Sequence, residues 1–421
     1  MEIVWGFFKK RFAFLLTFTI CKGLVFITPL LYAEVLGSED FGILEYALAG
    51  MGFVLNALFN LGVPGAYPYF ILKRKETALR NGFSLHPVWL ATIFIFQTIL
   101  FSLDIIDQKV YLTLNIAFII SNQLFYSTKL KSHESPIFAV LIDSGVYLVL
   151  FLAYACSLIQ LISLSISTIS PIIIGYCLFY CLRSALDYYR SEKREIFSNY
   201  LKILRYSKNL LIASFLIFLI TSSGRIVTEW IFGFEKVGVY GYYFRLAAVV
   251  VMIHQVVNIA FFKKMYTVDP SILDKYFAMF FTGIYLLSLL FFWVSPFILG
   301  DFSKYFVETF ETSRIIYFIV SCQMVFWIAS ALNSNIIDRE NAVSANNFRF
   351  LLLIGISFMI LVLTKNVITF PQLAYFVYFV ILISCFIQYY SLFKKGVFFY
   401  RSPFVLALSS VITSIIFFLN L

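Results

Sequence analysis

Residues 36–46 read LGSEDFGILEY, and residues 232–242 read FGFEKVGVYGY. At a constant offset of 196 positions, both stretches fit the pattern G-x-E-x-[FV]-G-[IV]-x-x-Y. Glycines suit a tight turn between two helices, and a glutamate stabilises the first turn of the helix that follows. Short turns can converge on such residues. The matching positions in the chain nevertheless favour a duplicated structural unit.

Apolar sequence surrounds both turns. The chain has 421 residues, of which 61% are hydrophobic and only 13% are charged, and its mean hydropathy is +0.91. Soluble domains are typically ~45–50% apolar and ~25% charged. The composition therefore predicts an all-α polytopic membrane protein and excludes a string of soluble domains.

Thirteen stretches approach the ~20 apolar residues that a transmembrane helix needs. They are 12–33, 41–63, 84–103, 110–128, 136–156, 162–182, 209–231, 237–262, 276–299, 315–337, 348–364, 370–391 and 404–420. The two similar turns follow the first and the seventh stretch, which predicts a six-plus-six repeat. We therefore expect a first six-helix bundle at 1–182, a cytoplasmic basic linker at 183–208, a second bundle at 209–391 and an extra transmembrane helix within 392–421. The linker is amphipathic enough to lie along the membrane surface.

The net charge of +10 is explained by an excess of basic residues in alternate loops. Lysine and arginine concentrate in alternate loops, at 9–11, 73–80, 129–131, 190–208, 263–264 and 394–401, whereas the opposite loops carry mainly acids. Because basic residues favour cytoplasmic loops, the pattern predicts a cytoplasmic amino terminus and requires no nucleic-acid partner. The chain has no nucleotide-binding glycine motif and no H-E-x-x-H, so no cofactor or metal is expected. Cys177 and Cys181 are four residues apart, but without a histidine or acidic partner they are better explained as small buried hydrophobes.

The region around the two turns resembles a known family. KGLVFITPLLYAEVLGSEDFGILEYALAG (22–50) and SSGRIVTEWIFGFEKVGVYGYYFRLAAVVV (222–251) resemble polysaccharide transporters of the multidrug/oligosaccharidyl-lipid/polysaccharide superfamily, especially Wzx-type O-antigen and repeat-unit flippases. The resemblance implies a V-shaped arrangement of two bundles, with a central cavity lined mainly by helices 1, 2, 7 and 8. Members of that family usually have twelve or fourteen transmembrane helices, so the thirteen apolar stretches counted here depart from the family pattern.

Charged side chains inside the apolar stretches are the candidate translocation residues. Such groups cost roughly 2.5–3.5 kcal/mol each on insertion and usually face a cavity. Lys22, Arg225, Arg245 and His254 lie on the helices that the resemblance places at the cavity. The three cations suit a pyrophosphate or an acidic sugar. Their alternative interpretation is structural: long cations can reach the interface, and His254 can hydrogen-bond between helices.

Further candidates have equally open roles. Asp143 either belongs to the translocation site or neutralises a neighbouring cation in a structural ion pair. Asn56 and Asn60 either contact sugar hydroxyls or join helices by hydrogen bonds. Candidate bend points for alternating access are Pro29, Gly62, Pro64 and Gly65.

The resemblance implies a flippase that moves undecaprenyl-pyrophosphate-linked oligosaccharide, an O-antigen or capsule repeat unit, across the bacterial inner membrane by alternating access. Its expected partners are that lipid-linked oligosaccharide, membrane lipids, and the polymerase and chain-length proteins of the same pathway. The alternatives are a multidrug exporter or a lipid II flippase of the same superfamily. An enzyme, a membrane polysaccharide polymerase or ligase, is the alternative from another class, although such enzymes need a site on an outer loop, and the outer loops here are short.

Overall fold

The computed structural model describes residues 2–133, 135–254, 268–340 and 343–419. In these ranges the fold is almost entirely helical and contains no strand. The helices, numbered along the chain, are α1 Glu2–Val35, α2 Ser38–Ala49, α3 Met51–Asn60, α4 Val63–Pro68, α5 Arg80–Phe83, α6 Leu85–Ser102, α7 Gln108–Ser132, α8 Pro136–Asp143, α9 Gly145–Leu158, α10 Ile166–Arg190, α11 Ile196–Phe232, α12 Phe234–Ala247, α13 Pro270–Leu299, α14 Lys304–Arg339, α15 Val343–Thr364, α16 Phe370–Phe393 and α17 Arg401–Phe418. The all-α polytopic class is confirmed.

Within the described residues, 11 helices are long and apolar enough to cross a membrane, or 12 if α8 and α9, bent by 61° at their junction, form one span. The sequence map has one span more, at 110–128, which lies in α7. That helix has 25 residues, about 37 Å by helical rise, so its length suffices. It is less apolar than the other spans because it carries several polar side chains. These are buried among other helices: Asn115, Ser121, Asn122, Gln123 and Ser127. The end of predicted span 237–262 and the basic pair at 263–264 lie outside the described residues.

Both similar stretches form a short turn between two helices. The first joins the end of α1 to the start of α2 through Gly37, and the second joins the end of α11 to the start of α12 through Gly233. Gly233 has a φ of 79°, a left-handed conformation that glycine adopts without strain. Glu39 and Glu235 lie in the first turns of their helices, where negative charge is favourable. The turn predicted from the pattern is therefore confirmed at both sites.

The chain divides into two compact units, residues 1–218 and 219–421. The division falls inside α11, a continuous helix of 37 residues. The range 183–208, predicted as a surface linker, contains no separate helix: it consists of the end of α10, the connection 191–195 and the start of α11. The assignment of bundles to 1–182 and 209–391, and their V-shaped arrangement, stay predictions.

In the first unit, α7 is the central helix. It packs against α2, α3, α4, α6, α8 and α10, and α1 packs against both α8 and α9. The helix is interrupted between α3 and α4, where Leu61 and Gly62 both have positive φ. A Cβ on Gly62 would come within 2.5 Å of the Ser207 carbonyl oxygen, so this position needs glycine for both conformation and space. The predicted bend at 62–65 is a real break in the helix, whereas Pro29 lies inside the unbroken α1. Hinge motion at either place stays a prediction.

In the second unit, the long helix α14 packs against α12, α13, α16 and α17. The last helix is anchored by an acid from elsewhere in the unit. Asp274, on α13 and 4% exposed, accepts hydrogen bonds from the backbone N–H groups of residues 400–402 and from the Ser402 hydroxyl. The carboxylate therefore caps the N-terminus of α17, where free N–H groups and the helix dipole favour negative charge.

Candidate functional site

The candidate cation in α1 forms an ion pair with the candidate acid of the bent span. Lys22 Nζ lies 2.9 Å from Asp143 Oδ2, and the two side chains are 19% and 28% exposed. Lys22 is ten residues from the start of the apolar segment Phe12–Val35, about 15 Å by helical rise. Asp143 therefore does contact a neighbouring cation. Whether the pair is structural or takes part in translocation stays a prediction.

Asp143 is the last residue of α8, directly before the 61° bend. α9 begins at Gly145, where a Cβ would come within 2.3 Å of the Tyr176 hydroxyl and 2.7 Å of Gln123 Nε2. A Cβ there would force the ends of these two side chains to shift, so glycine allows the close approach of α7 and α10 to the bend. Lys22 therefore ties α1 to a break in a neighbouring helix. If Lys22 changed partner, α1 would lose its ion pair with the residue that directly precedes the bend.

Asn56 and Asn60 belong to a buried hydrogen-bond network in the first unit. Asn60 Nδ2 donates to Asn56 Oδ1 at 2.6 Å, and the Ser121 hydroxyl donates to the same oxygen at 3.1 Å. His86 bridges Asn60 Oδ1 and the Tyr200 hydroxyl, both at 3.2 Å. This geometry connects α3, α6, α7 and α11, which fits the interhelical interpretation. Contact of either asparagine with sugar stays a prediction.

His86 and Tyr200 were missed by the sequence reasoning. His86 is fully buried, but in the sequence it lies near the predicted cytoplasmic end of an apolar stretch and resembles an interfacial histidine. The available signal was Asn60 at the end of the preceding span. A cluster of amide and imidazole groups at the same predicted membrane depth indicates hydrogen bonds between those helices.

Arg225 lies inside the second unit and is only 3% exposed. Its Cζ lies 4.4 Å from the ring centroid of Phe244, and that ring contacts Trp327 at 5.4 Å between centroids. A cation over an aromatic face is attracted by the ring quadrupole. The adjacent Gly224 is close to Tyr240, whose hydroxyl would lie 2.2 Å from a Cβ at that position. The interior of this unit therefore holds a cation among aromatic rings.

Arg245 and His254 are also buried in the second unit, at 6% and 7% exposure. Arg245 lies in the last turn of α12, and His254 is the last residue described before the gap at 255–267. Whether these two residues and Arg225 face the same cavity as Lys22 stays a prediction.

Two buried amides on α14 were not singled out from the sequence. Gln323 and Asn333 are fully buried, Gln323 beside the Tyr240 hydroxyl and Asn333 beside the Tyr389 hydroxyl. Buried polar groups are nearly always hydrogen-bonded to protein, water or a ligand. These amides therefore add polar groups to the interior of the second unit. Glutamine and asparagine within an apolar stretch were the signal that would have found them.

The same geometry shows no metal centre. Among the residues that the structure describes, no group of three or more histidine, cysteine, aspartate or glutamate side chains is placed to hold a metal ion.

Comparison with known proteins gives one match. A family model described as "Polysaccharide biosynthesis protein" matches residues 8–266, more than half of the chain. No curated protein and no solved structure matches. The matched range contains Lys22, Asp143 and the candidate residues at 225, 245 and 254.

Proposed function

The chain belongs to the polysaccharide biosynthesis protein family, as the resemblance predicted, and from this premise we propose that it is a flippase for undecaprenyl-pyrophosphate-linked oligosaccharide. The substrate would be an O-antigen or capsule repeat unit, moved from the cytoplasmic to the outer leaflet of a bacterial inner membrane. The observation that carries the proposal is the Lys22–Asp143 ion pair inside the spans, at a 61° break.

In the proposed mechanism, Lys22 exchanges partners. Its ammonium has three donors, and the pair is partly exposed, so an entering pyrophosphate can compete with Asp143 for it. Because the esterified pyrophosphate carries two negative charges and a carboxylate carries one, the anion would loosen the contact between α1 and the bent span. Release of the anion on the other side would restore the pair. Binding would thus be coupled to the conformation of α8 and α9.

Within the second unit, the proposed polar contacts are two arginines and two amides. Arg225 and Arg245 supply buried positive charge, which arginine can direct at phosphate in bidentate fashion. Gln323 and Asn333 supply amide groups of the kind that hydrogen-bond sugar hydroxyls. The lipid tail would stay in the bilayer while the head group crosses.

A multidrug exporter of the same superfamily fits less well, since cationic drugs favour acidic rather than basic interior groups. A lipid II flippase would share the mechanism and differs only in the sugar. A polymerase or ligase would act on the outer face. There the connections between described helices are no longer than the one between Leu158 and Ile166, which leaves little chain for a catalytic loop.

Cells that lack the protein are expected to accumulate lipid-linked single repeat units on the cytoplasmic face. The measurement is labelling of the lipid-linked sugar by an impermeant probe in intact spheroplasts and in lysed ones. A flippase defect leaves the pool hidden until lysis. A pool that is labelled in intact spheroplasts would contradict the proposal and indicate a missing polymerase or ligase.

The proposed orientation makes a topological prediction. Reporter fusions in the connection 191–195 are expected to report the cytoplasm, and fusions at 300–303 the outer side. Between the two sites the sequence map has three spans, and three described helices begin there, at Ile196, Phe234 and Pro270. Fusions that report the same side at both sites would show that the span map is wrong.

A further inference from the structure

A cleft of about 590 Å³ lies in the first unit between the ends of α7 and α10 and the bent pair α8–α9. The residues that line it are mostly apolar and aromatic. Two of these residues, Phe138 and Phe179, are 65% and 56% exposed. Large apolar side chains exposed on transmembrane helices face lipid. The cleft therefore opens sideways toward the bilayer, and its volume is in the range of ligand sites.

One end of the cleft is cationic. Lys129 Nζ and Arg183 Nε each lie 3.5 Å from a different oxygen of Asp187, and His133, which contacts Arg80, completes this end. Two fixed cations thus share one acid at a distance beyond the 2.7–2.9 Å of a strong charge-assisted hydrogen bond. Both cations keep donors for a further anion, and the ring of Tyr126 lies about 6 Å from each, at 6.0 and 5.8 Å.

The cationic end lies on the predicted cytoplasmic side. α7 and α10 both end here in basic residues, which include Lys131 and Arg190, and basic helix ends mark the cytoplasmic leaflet. Three tyrosines, Tyr126, Tyr176 and Tyr180, line the zone between charge and apolar wall. Tyrosine is enriched at this depth because its ring is apolar and its hydroxyl is polar. Charge, aromatic zone and apolar wall follow the order of a phospholipid from head group to acyl chain.

We propose that this cleft binds one anionic phospholipid of the cytoplasmic leaflet, with its phosphate between Lys129 and Arg183 and an acyl chain along the apolar wall. Basic pockets between transmembrane helices on this side are suited to anionic head groups. Gly145 belongs to the lining, so the lipid would contact the bend that follows Asp143. The site is separate from the proposed translocation residues, and it does not depend on what the protein transports.

The test is native mass spectrometry of the full-length protein with phosphatidylglycerol or phosphatidylcholine of identical acyl chains. The wild type is expected to bind one phosphatidylglycerol in preference to phosphatidylcholine. The double variant Lys129→Gln/Arg183→Gln is expected to bind phosphatidylglycerol about 25-fold more weakly, since each basic residue near the surface contributes about a fivefold effect. The matched control is Lys394→Gln/Lys395→Gln, which removes two cations from another predicted cytoplasmic loop and should retain binding.

Asp187→Asn gives a second readout that does not depend on losing a function. It removes the acid that competes with the phosphate, so phosphatidylglycerol is expected to bind about fivefold more tightly. If the double variant fails to fold, Asp187→Asn alone tests whether the cleft binds an anionic phospholipid. Equal binding of the two lipids by the wild type, an equal loss in the control variant, or no gain in Asp187→Asn would overturn the proposal. Preferential one-for-one displacement by undecaprenyl phosphate would also overturn it, because the cleft would then hold the substrate's own lipid.

Discussion

Replacing Lys22 with alanine or glutamate is expected to abolish export of the lipid-linked oligosaccharide while the protein remains inserted and abundant. Both changes remove the cation that the proposed mechanism offers to pyrophosphate, and glutamate also repels Asp143, whose oxygen lies 2.9 Å from Nζ. Lys22→Arg is expected to keep partial export, because the charge persists while its geometry changes. Export is measured as surface polysaccharide per unit of membrane-embedded protein. In Lys22→Ala, loss of the charge eases insertion by a few kcal/mol, so failed insertion would not explain the loss of export in that variant.

The ion pair requires a double variant to separate binding from stability. Removing one partner of a buried pair leaves an unpaired charge, which costs about 3–5 kcal/mol in a fully buried pair and less in this partly exposed one. Lys22→Ala/Asp143→Ala removes both charges. If Lys22 contacts the substrate, export stays absent at normal protein levels. Restored export in the double variant would show instead that the lysine is structural.

A matched control exists in the same unit. Lys109 pairs with Glu39 at 2.7 Å, but their side chains are 41% and 64% exposed. Exposed pairs typically contribute 0.2–1 kcal/mol. Lys109→Ala/Glu39→Ala is therefore expected to leave both export and protein level unchanged, which would show that loss of an ion pair between helices is not sufficient to stop transport.

The features predicted correctly from sequence depend on neighbouring residues. The turns at 36–46 and 232–242 form because their glycines and first-turn acids act within one or two helical turns. The membrane-spanning helices could likewise be predicted from local sequence, because each helix satisfies its own backbone hydrogen bonds and needs only its own apolar residues to enter the bilayer. The break at 62 could also be predicted, because two glycines and a proline lie within residues 62–65.

The missed features depend on contacts between distant residues. Lys22 and Asp143 are 121 positions apart, so the sequence could show two costly charges but not that they meet. α7 counts as one span among thirteen in the sequence, yet it is central to the first unit, and three of its buried polar side chains hydrogen-bond to α3, α6 and α10. The surface position of the linker at 183–208 stays a prediction, because amphipathic sequence suits both a surface helix and the ends of two long helices, which this range contains.

Asp274 is the clearest case of such a long-range contact, and Asp274→Ala is expected to destabilise the second unit by roughly 3–5 kcal/mol. The substitution leaves three backbone N–H groups at the start of α17 without the carboxylate that accepts their hydrogen bonds at 2.8–2.9 Å. An unsatisfied buried donor costs about 1–3 kcal/mol, which applies in full at buried Ser402 and only in part at Tyr400 and Arg401, which are exposed. The measurement is the thermal midpoint of the purified protein in detergent, together with protease cleavage in the connection 394–400, which should become faster as α17 detaches.

Asp269 provides the matched control, five residues earlier. It also caps a helix, since it accepts a hydrogen bond from Ser271 N at 2.8 Å at the start of α13, but it is exposed. Loss of an exposed cap costs about 1 kcal/mol, because water replaces the lost acceptor. Asp274→Asn should fall between the two: its one oxygen serves one side of the site, and its NH₂ group faces the remaining donors. Equal shifts for Asp269→Ala and Asp274→Ala would show that α17 is held by its apolar packing and not by the carboxylate.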